Sequence, residues 1–387
     1  FRAKRCVVSG DEKQLPPTSF FGSRADVAAD DGGFDSMDAD IDNEIELIEE
    51  DAEAAPRIDP RALQVAERHI KDCEDLLALS RGHLPETSLD IHYRSQYREL
   101  IAFSNAAYYG GRLNVPVSRS PADVITAKPI EVWRVDGLYK NQSNPDEADA
   151  IVEFLAELWA RETNPPTIGV VTFNMKQAEL ILGRLDARAD QDRAFGRALI
   201  RERTRKAQGE DVGFFVKNLE NVQGDERDWI VFSTTFGRDE EGVFRRSFGA
   251  LNQQGGERRL NVAVTRAKQK VVIVTSMPTA EISDALGSGR PPVRARDYLQ
   301  IYMQYAELIS SGDLDEAMKL LQLFGPQDAR AAPPQQDEPD ELIQQALAAL
   351  RAEGFDAAVL PREDAFSVDI AVSDPEEARY VLGVEFD

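Results

Sequence analysis

From His92 to about Thr275 the chain alternates two patterns. Short apolar runs rich in β-branched residues have the length and composition of strands: "IEVWRV" (130–135), "TIGVVTF" (167–173), "GFFVKNL" (213–219), "DWIVFSTT" (228–235) and "KVVIVTS" (270–276). Between them, apolar residues recur every three to four positions, which predicts helices over 95–108, from Asn144 onward, over 176–189 and 191–207, and near 258–267. At the second of these, Asn144 suits an N-cap, Pro145 the first turn and Glu147 the third position of a capping box, with Ala148, Ile151, Leu155 and Leu158 as the apolar stripe. Apolar strands alternating with helices predict an α/β fold, a parallel sheet with helices on both faces. In such sheets ligands are expected outside the carboxyl ends of the strands.

The flanks read differently. "RCVVSG" (5–10) is expected to be a short strand before a Pro-Pro turn, residues 26–59 an acidic, largely disordered insert, and Pro60–Leu79 a helix. Helices over 294–311 and 313–323 close the α/β unit, and the Pro- and Gln-rich segment 325–340 reads as a linker. A helix "ELIQQALAALRAEG" and strands near 356–360, 366–373 and 379–386 then open a last unit. The chain begins at Phe1 without a Met and reads as a fragment.

The formal net charge of −24 argues at first against a nucleic-acid partner. Its distribution removes that argument. Residues 26–59 hold 14 acids and one base, residues 326–387 hold 15 acids and four bases, and the remainder holds 40 of each. A balanced middle neither supports nor excludes nucleic acid. No apolar run approaches the ~20 residues of a membrane helix, and the N-terminus lacks a signal-peptide core. Cys6 and Cys73 fit no metal spacing, and His69, His83 and His92 form no zinc pattern, so a reducing, cytoplasmic setting is expected.

Four stretches could carry chemistry. "VVSGDEKQLPP" (7–17) places Gly10, Asp11 and Gln14 after an apolar run, as a phosphate-sensing loop or an ordinary turn. "LDIHYRSQYRELIAF" (89–103) sets Arg94 before a helix, where its fork suits a phosphate or an ordinary surface ion pair. "ERRLNVAVTRAKQK" (257–270) puts Arg259, Val262 and Arg266 at i, i+3 and i+7, so that on the expected helix both arginines can share one side, or else form part of a solvated basic face with Arg258 and Lys268. The polar knot "QGDERD" (223–228) stands directly before a core strand. Gly224 permits close backbone approach and Glu226 offers a carboxylate to a hydroxyl such as that of a ribose, although a solubilising turn has the same composition.

The order of these stretches resembles the motif set of superfamily 1 helicases, specifically the Upf-like branch typified by the nonsense-mediated-decay RNA helicase. "GDEKQLPP" resembles motif III, "HYRS" the arginine-bearing segment that opens the second RecA-like domain, "IGVVTFNMKQAELI" motif IV, "VQGDERDWIVFS" motif V and "RRLNVAVTRAK" motif VI. The resemblance covers about 1–25 and 88–278. It implies a RecA-like P-loop NTPase second domain over 60–324, preceded by the end of the first RecA-like domain at 1–25. It implies ATP and Mg²⁺ as cofactors and single-stranded DNA or RNA as partner. Gln14 would sense the terminal phosphate, Arg94 and Arg266 would be arginine fingers, Glu226 and Gly224 would meet the nucleotide together with Gly10 and Asp11, and Thr172, Phe173 and Asn174 would help hold the strand. No G-x-x-x-x-G-K-[ST] loop occurs in the chain, so the expectation is ATPase activity in the full-length protein and none in this chain alone.

The tail, 341–387, resembles a truncated restriction-endonuclease-like domain, a partial α/β unit in which Asp369 and Glu385 would bind a metal ion. A helicase–nuclease fusion in defence or repair, and a degenerate binding module without ATPase activity, are the two alternative readings.

Overall fold

The computed structural model describes residues 7–15, 76–81, 83–288, 290–325, 341–359, 370–374 and 379–384. The expected acidic insert (26–59), residues 60–75 of the expected helix and residues 326–340 of the linker lie outside the described residues. Val7–Gly10 belong to no strand: no described strand lies alongside them to complete a ladder, so the expected strand at 5–10 is not formed in its described part.

Two units are distinguished. In the first, helix α1 (Leu76–Arg81) carries Arg81, which pairs with Glu12 and Glu86, and Leu77 packs where a side chain at Gly10 would stand. The second unit contains Lys13–Leu15 and everything from Ser88 onward. Its elements in chain order are α2 (Glu99–Tyr108), α3 (Pro121–Ala127), β1 (Ile130–Arg134), α4 (Pro145–Arg161), β2 (Ile168–Thr172), α5 (Met175–Gln191), α6 (Arg193–Arg203), a short hairpin of β3 (Lys206–Ala207) and β4 (Glu210–Asp211), β5 (Phe215–Asn218), β6 (Arg227–Ser233), α7 (Gly256–Val264) and β7 (Ala267–Thr275). Then follow α8 (Ala285–Ser288), α9 (Ala295–Ser311) and α10 (Leu314–Leu321).

Five strands form one parallel sheet in the order β1-β7-β6-β2-β5. Side chains alternate across it, as the two-residue period of a strand requires. Ile230, Phe232, Val271 and Ile273 face one apolar layer with α2, α7, α9 and α10, while Val170, Val231, Val272 and Val274 face the other with α4, α5 and α6. This two-sided burial is why the strands read as continuous apolar runs. The last unit pairs α11 (Glu341–Ala352) with an antiparallel sheet of β8 (Asp356–Val359), β9 (Ile370–Asp374) and β10 (Arg379–Val384), ordered β10-β9-β8, around a small core of Ile343, Leu347, Ala357, Ile370 and Val372. Among the described residues no helix is long and apolar enough to cross a membrane.

Asn144 caps α4 as expected, its Oδ1 accepting from Glu147 N at 3.2 Å. Glu147 does not complete a capping box. The Asn144 N–H donates instead to Gln177 Oε1, and the Glu147 carboxylate turns inward.

Candidate functional site

Each acid of the polar knot has its own partner. Asp225 accepts from Lys217 Nζ at 2.6 Å. Asp228 accepts from the backbone and hydroxyl of Thr167, both at 2.9 Å, which fixes the start of β6 against β2. Arg227 is buried, donates to Gly213 O through Nε and Nη2, and lies over the Phe215 ring. Gly224 adopts a φ of 87°, a conformation that disfavours any side chain. Glu226 remains at the edge. Its Oε2 lies 2.6 Å from Arg94 Nε and its Oε1 2.7 Å from Lys268 Nζ. Burial alone would raise the Glu226 pKa. The hydrogen bond from Lys268 and the charges of Arg94 and Lys268 outweigh that and hold the carboxyl below its ordinary value.

Backbone hydrogen bonds gather these side chains. Gln96 N donates to Lys268 O at 2.8 Å, tying the Arg94 segment to β7, and Arg227 N donates to Arg266 O at 3.2 Å across the starts of β6 and β7. The turn that carries Gln14 is held on both sides: Asn261 of α7 donates to Lys13 O at 2.9 Å, and Gln223 donates to Leu15 O at 3.3 Å. Gln14, Gly224, Glu226, Arg94 and Arg266 are therefore brought to one place, at the amino ends of β6 and β7. Ligands of such sheets are expected outside the carboxyl ends, whereas this cluster stands at the amino ends. The loop before a strand, not the loop after it, carries the knot.

Arg266 is buried at 4% exposure. Helix α7 ends at Val264, so Arg266 lies beyond it and does not share a helix side with Arg259, which pairs with Glu220. Arg266 Nε donates to Val262 O at 2.7 Å and Nη2 to Thr265 Oγ1 at 2.9 Å, and among the described residues it has no ion pair. Burial, with Arg94 nearby, brings its pKa down to about 10. A buried cation without a carboxylate is costly, and an anion would relieve it. The same surroundings act on His92. Burial first, then Arg94 and Arg266, lower its pKa to about 4, and Ser95 lies 2.8 Å from its Nε2. Tyr93, beside Arg94, is 82% exposed.

The carboxyl ends of the strands form a second polar region. Glu147 is fully buried and accepts from Ser233 Oγ at 2.6 Å, Thr235 N at 2.7 Å, Ser276 N at 2.8 Å and Thr234 Oγ1 at 3.2 Å. Burial raises its pKa to about 7 against these bonds. The loops it holds line an open hollow of about 290 Å³, with Arg134, Asp136, Arg238 and Ser276 in its wall. Thr172 and Phe173 stand at this end but are buried, Phe173 edge-on to Phe232. Asn174 is half-buried, caps α5 by accepting from Gln177 N, and donates to Gln142 O.

Gly10 and Asp11 belong to the first unit and are described with it. Asp369 and Glu385 lie outside the described residues, and among the described residues no cluster of His, Cys, Asp or Glu could hold a metal ion. The sequence reading missed His92, Lys268, Asn261, Arg227 and the inward Glu147. Lys268 was legible as a cation two residues after Arg266. The others show only in three dimensions.

The chain is 35% identical over 294 residues to an uncharacterized ATP-dependent helicase of Mycoplasma pneumoniae, covering 74% of this chain and 23% of that protein. It is 36% identical over 273 residues to one of Mycoplasma genitalium, covering 70% and 21%. It thus spans less than a quarter of the length of these curated relatives. A crystal structure described as the C-terminal domain of a possible DNA helicase from Lactobacillus plantarum WCFS1 aligns at 16% identity with a TM-score of 0.27, over 50% of this chain and 96% of that one, a likeness too slight to build on. The model of the AAA domain family matches residues 73–278, more than half of the chain and the whole of the five-stranded sheet, and with its parallel α/β RecA-like fold the chain belongs to that family.

Proposed function

We propose that the chain is the C-terminal portion of an ATP-dependent superfamily 1 DNA or RNA helicase of the Upf-like branch, and that the amino-end cluster is its half of a nucleotide site. One observation carries the reading. Arg266 is buried with no ion pair among the described residues, at the point where Arg94, Glu226 and the Gln14 turn converge. Net positive charge from Arg94, Lys268 and Arg266 against the single carboxylate of Glu226 suits a polyphosphate.

The residues divide the work. Arg266 and Arg94 offer planar forks to phosphate oxygens and stabilise charge that develops during phosphoryl transfer. Glu226 holds Arg94 and Lys268 in register, and each of its oxygens keeps a second acceptor direction for a ribose hydroxyl. Gln14 sits on a turn pinned to α7 and to the knot, so a change at the phosphate would be passed along both. The exposed ring of Tyr93 offers a stacking face to a base. Bound ATP with Mg²⁺ supplies the phosphoryl group and neutralises its charge; the fit of these residues rests on their own positive balance. Asn174, held by buried Thr172 and Phe173, would meet the nucleic-acid strand at the carboxyl ends of the sheet.

The test is strand-stimulated ATP hydrolysis by the full-length protein carrying Arg266→Ala. Turnover should disappear while circular dichroism stays that of the wild type. Undiminished turnover would remove the proposed role.

A further inference from the structure

Helix α6 carries Arg193, Arg197 and Arg201 at i, i+4 and i+8. At 100° and 1.5 Å per residue these lie within an arc of about 80° and along about 12 Å of the helix. All three are exposed, and Ile200, about 20° beyond the edge of that arc, is 65% exposed. The buried side of the helix is separate: Phe195, Ala198, Leu199 and Glu202 face the core.

Neighbouring arginines are handled differently. Arg184 pairs with Asp149, Arg188 with Glu153, Arg203 with Asp186 and Arg205 with Glu202. Arg193 and Arg197 have no ion pair among the described residues, and Arg201 has only its sequence neighbour Glu202. The adjacent acid, Asp192, is committed to capping α6 through Ala194 N and Phe195 N. Like charges four apart each cost a helix about 0.2–0.5 kcal/mol. A fold that pairs Arg184, Arg188 and Arg203, yet leaves Arg193 and Arg197 without an ion pair among the described residues and sets Arg201 in line with them on one outer face, departs from local consistency where function is expected.

We infer that this face of α6 is an auxiliary docking surface for the sugar-phosphate backbone of a single-stranded nucleic acid, apart from both sheet edges. It rests on the helicase reading for its partner. The chemistry is charge complementarity: a row of guanidinium forks at one-turn spacing matches a chain of phosphates and reads no sequence, while exposed Ile200 offers apolar contact to an unstacked base. The bulk charge of −24 makes such a local basic row the more necessary.

The experiment measures binding of a fluorescein-labelled oligothymidylate to the full-length protein by anisotropy across a salt series. Wild type is compared with Arg193→Gln/Arg197→Gln/Arg201→Gln and with the matching triple Lys variant. Each lost phosphate contact on a single strand flattens the slope of log K against log salt by about 0.7. The Gln variant should therefore flatten it by about 1.5–2 and bind at least tenfold more weakly at low salt, with strand-free ATPase unchanged. The Lys variant should keep the wild-type slope. A Gln variant with the wild-type slope overturns the surface and leaves the helicase reading intact. Absence of any binding by the wild type would refute both.

Discussion

Glu147 and His92 titrate in opposite senses over the same pH range, and that makes a sharp test of the two polar regions. Glu147 rises from its ordinary 4.5 to about 7, and His92 falls from 6.5 to about 4. Between pH 4.5 and 7 the unfolded chain has already lost the Glu147 proton while the folded chain keeps it, so rising pH costs stability, about 3 kcal/mol in all. Between pH 4 and 6.5 the unfolded chain holds a proton on His92 that the folded chain refuses, so rising pH restores stability. That gain is about 2 kcal/mol once the partly exposed ring is discounted for solvent screening. The two slopes partly cancel. Urea unfolding followed by tryptophan fluorescence is suited to the test, because Trp133, Trp159 and Trp229 all pack in the sheet domain. From pH 5 to 7.5 the wild type should lose about 1 kcal/mol of stability. Glu147→Gln should become more stable as pH rises, by about 1 kcal/mol, and His92→Gln less stable, by about 2 kcal/mol. The amide that Glu147→Gln introduces sets an N–H₂ against backbone donors, which lowers stability at every pH and leaves the slope untouched. If both variants keep the wild-type profile, the burial argument for these groups is wrong.

Two further changes separate scaffold from site. Phe173→Ala should cost about 3–5 kcal/mol of unfolding free energy in the same urea assay, as expected for an emptied aromatic site in a packed core; a cost below about 1 kcal/mol would place the ring elsewhere. Gly224→Ala forces a side chain to a φ of 87° at about 1–2 kcal/mol. It should weaken ATP binding by the full-length protein roughly tenfold in calorimetry with little loss of melting temperature, and unchanged affinity would show that this loop is not at the nucleotide.

Much of the architecture was written in hydrophobic period. Ile230-Val231-Phe232 and Val271 to Val274 are apolar at every position because both faces of the sheet are covered, and the Asn144-Pro145 start marks α4 to the residue. The site was legible in part. Arg94, Glu226 and Arg266 were singled out from their types and surroundings, and structure adds that they meet. What stayed hidden depends on packing across the chain. Glu147 has the spacing of a capping-box residue, and only the convergence of Ser233, Thr235 and Ser276 draws it inward. Arg227 and Glu226 are adjacent acid-and-base neighbours in sequence. The strand register alone buries Arg227 against Gly213 and leaves Glu226 at the edge. Phe173 and Asn174 likewise part company because β2 ends at Thr172 and Asn174 caps the next helix.

The most direct test of the central claim is single-turnover ATP hydrolysis by the full-length protein with saturating single strand, comparing wild type with Arg266→Lys. The substitution keeps the charge and removes the fork. If Arg266 stabilises the transferring phosphoryl group, the rate should fall by about 10³ or more while ATP affinity changes only a few-fold. A rate within a few-fold of wild type would contradict the assignment and return the amino-end cluster to a structural role.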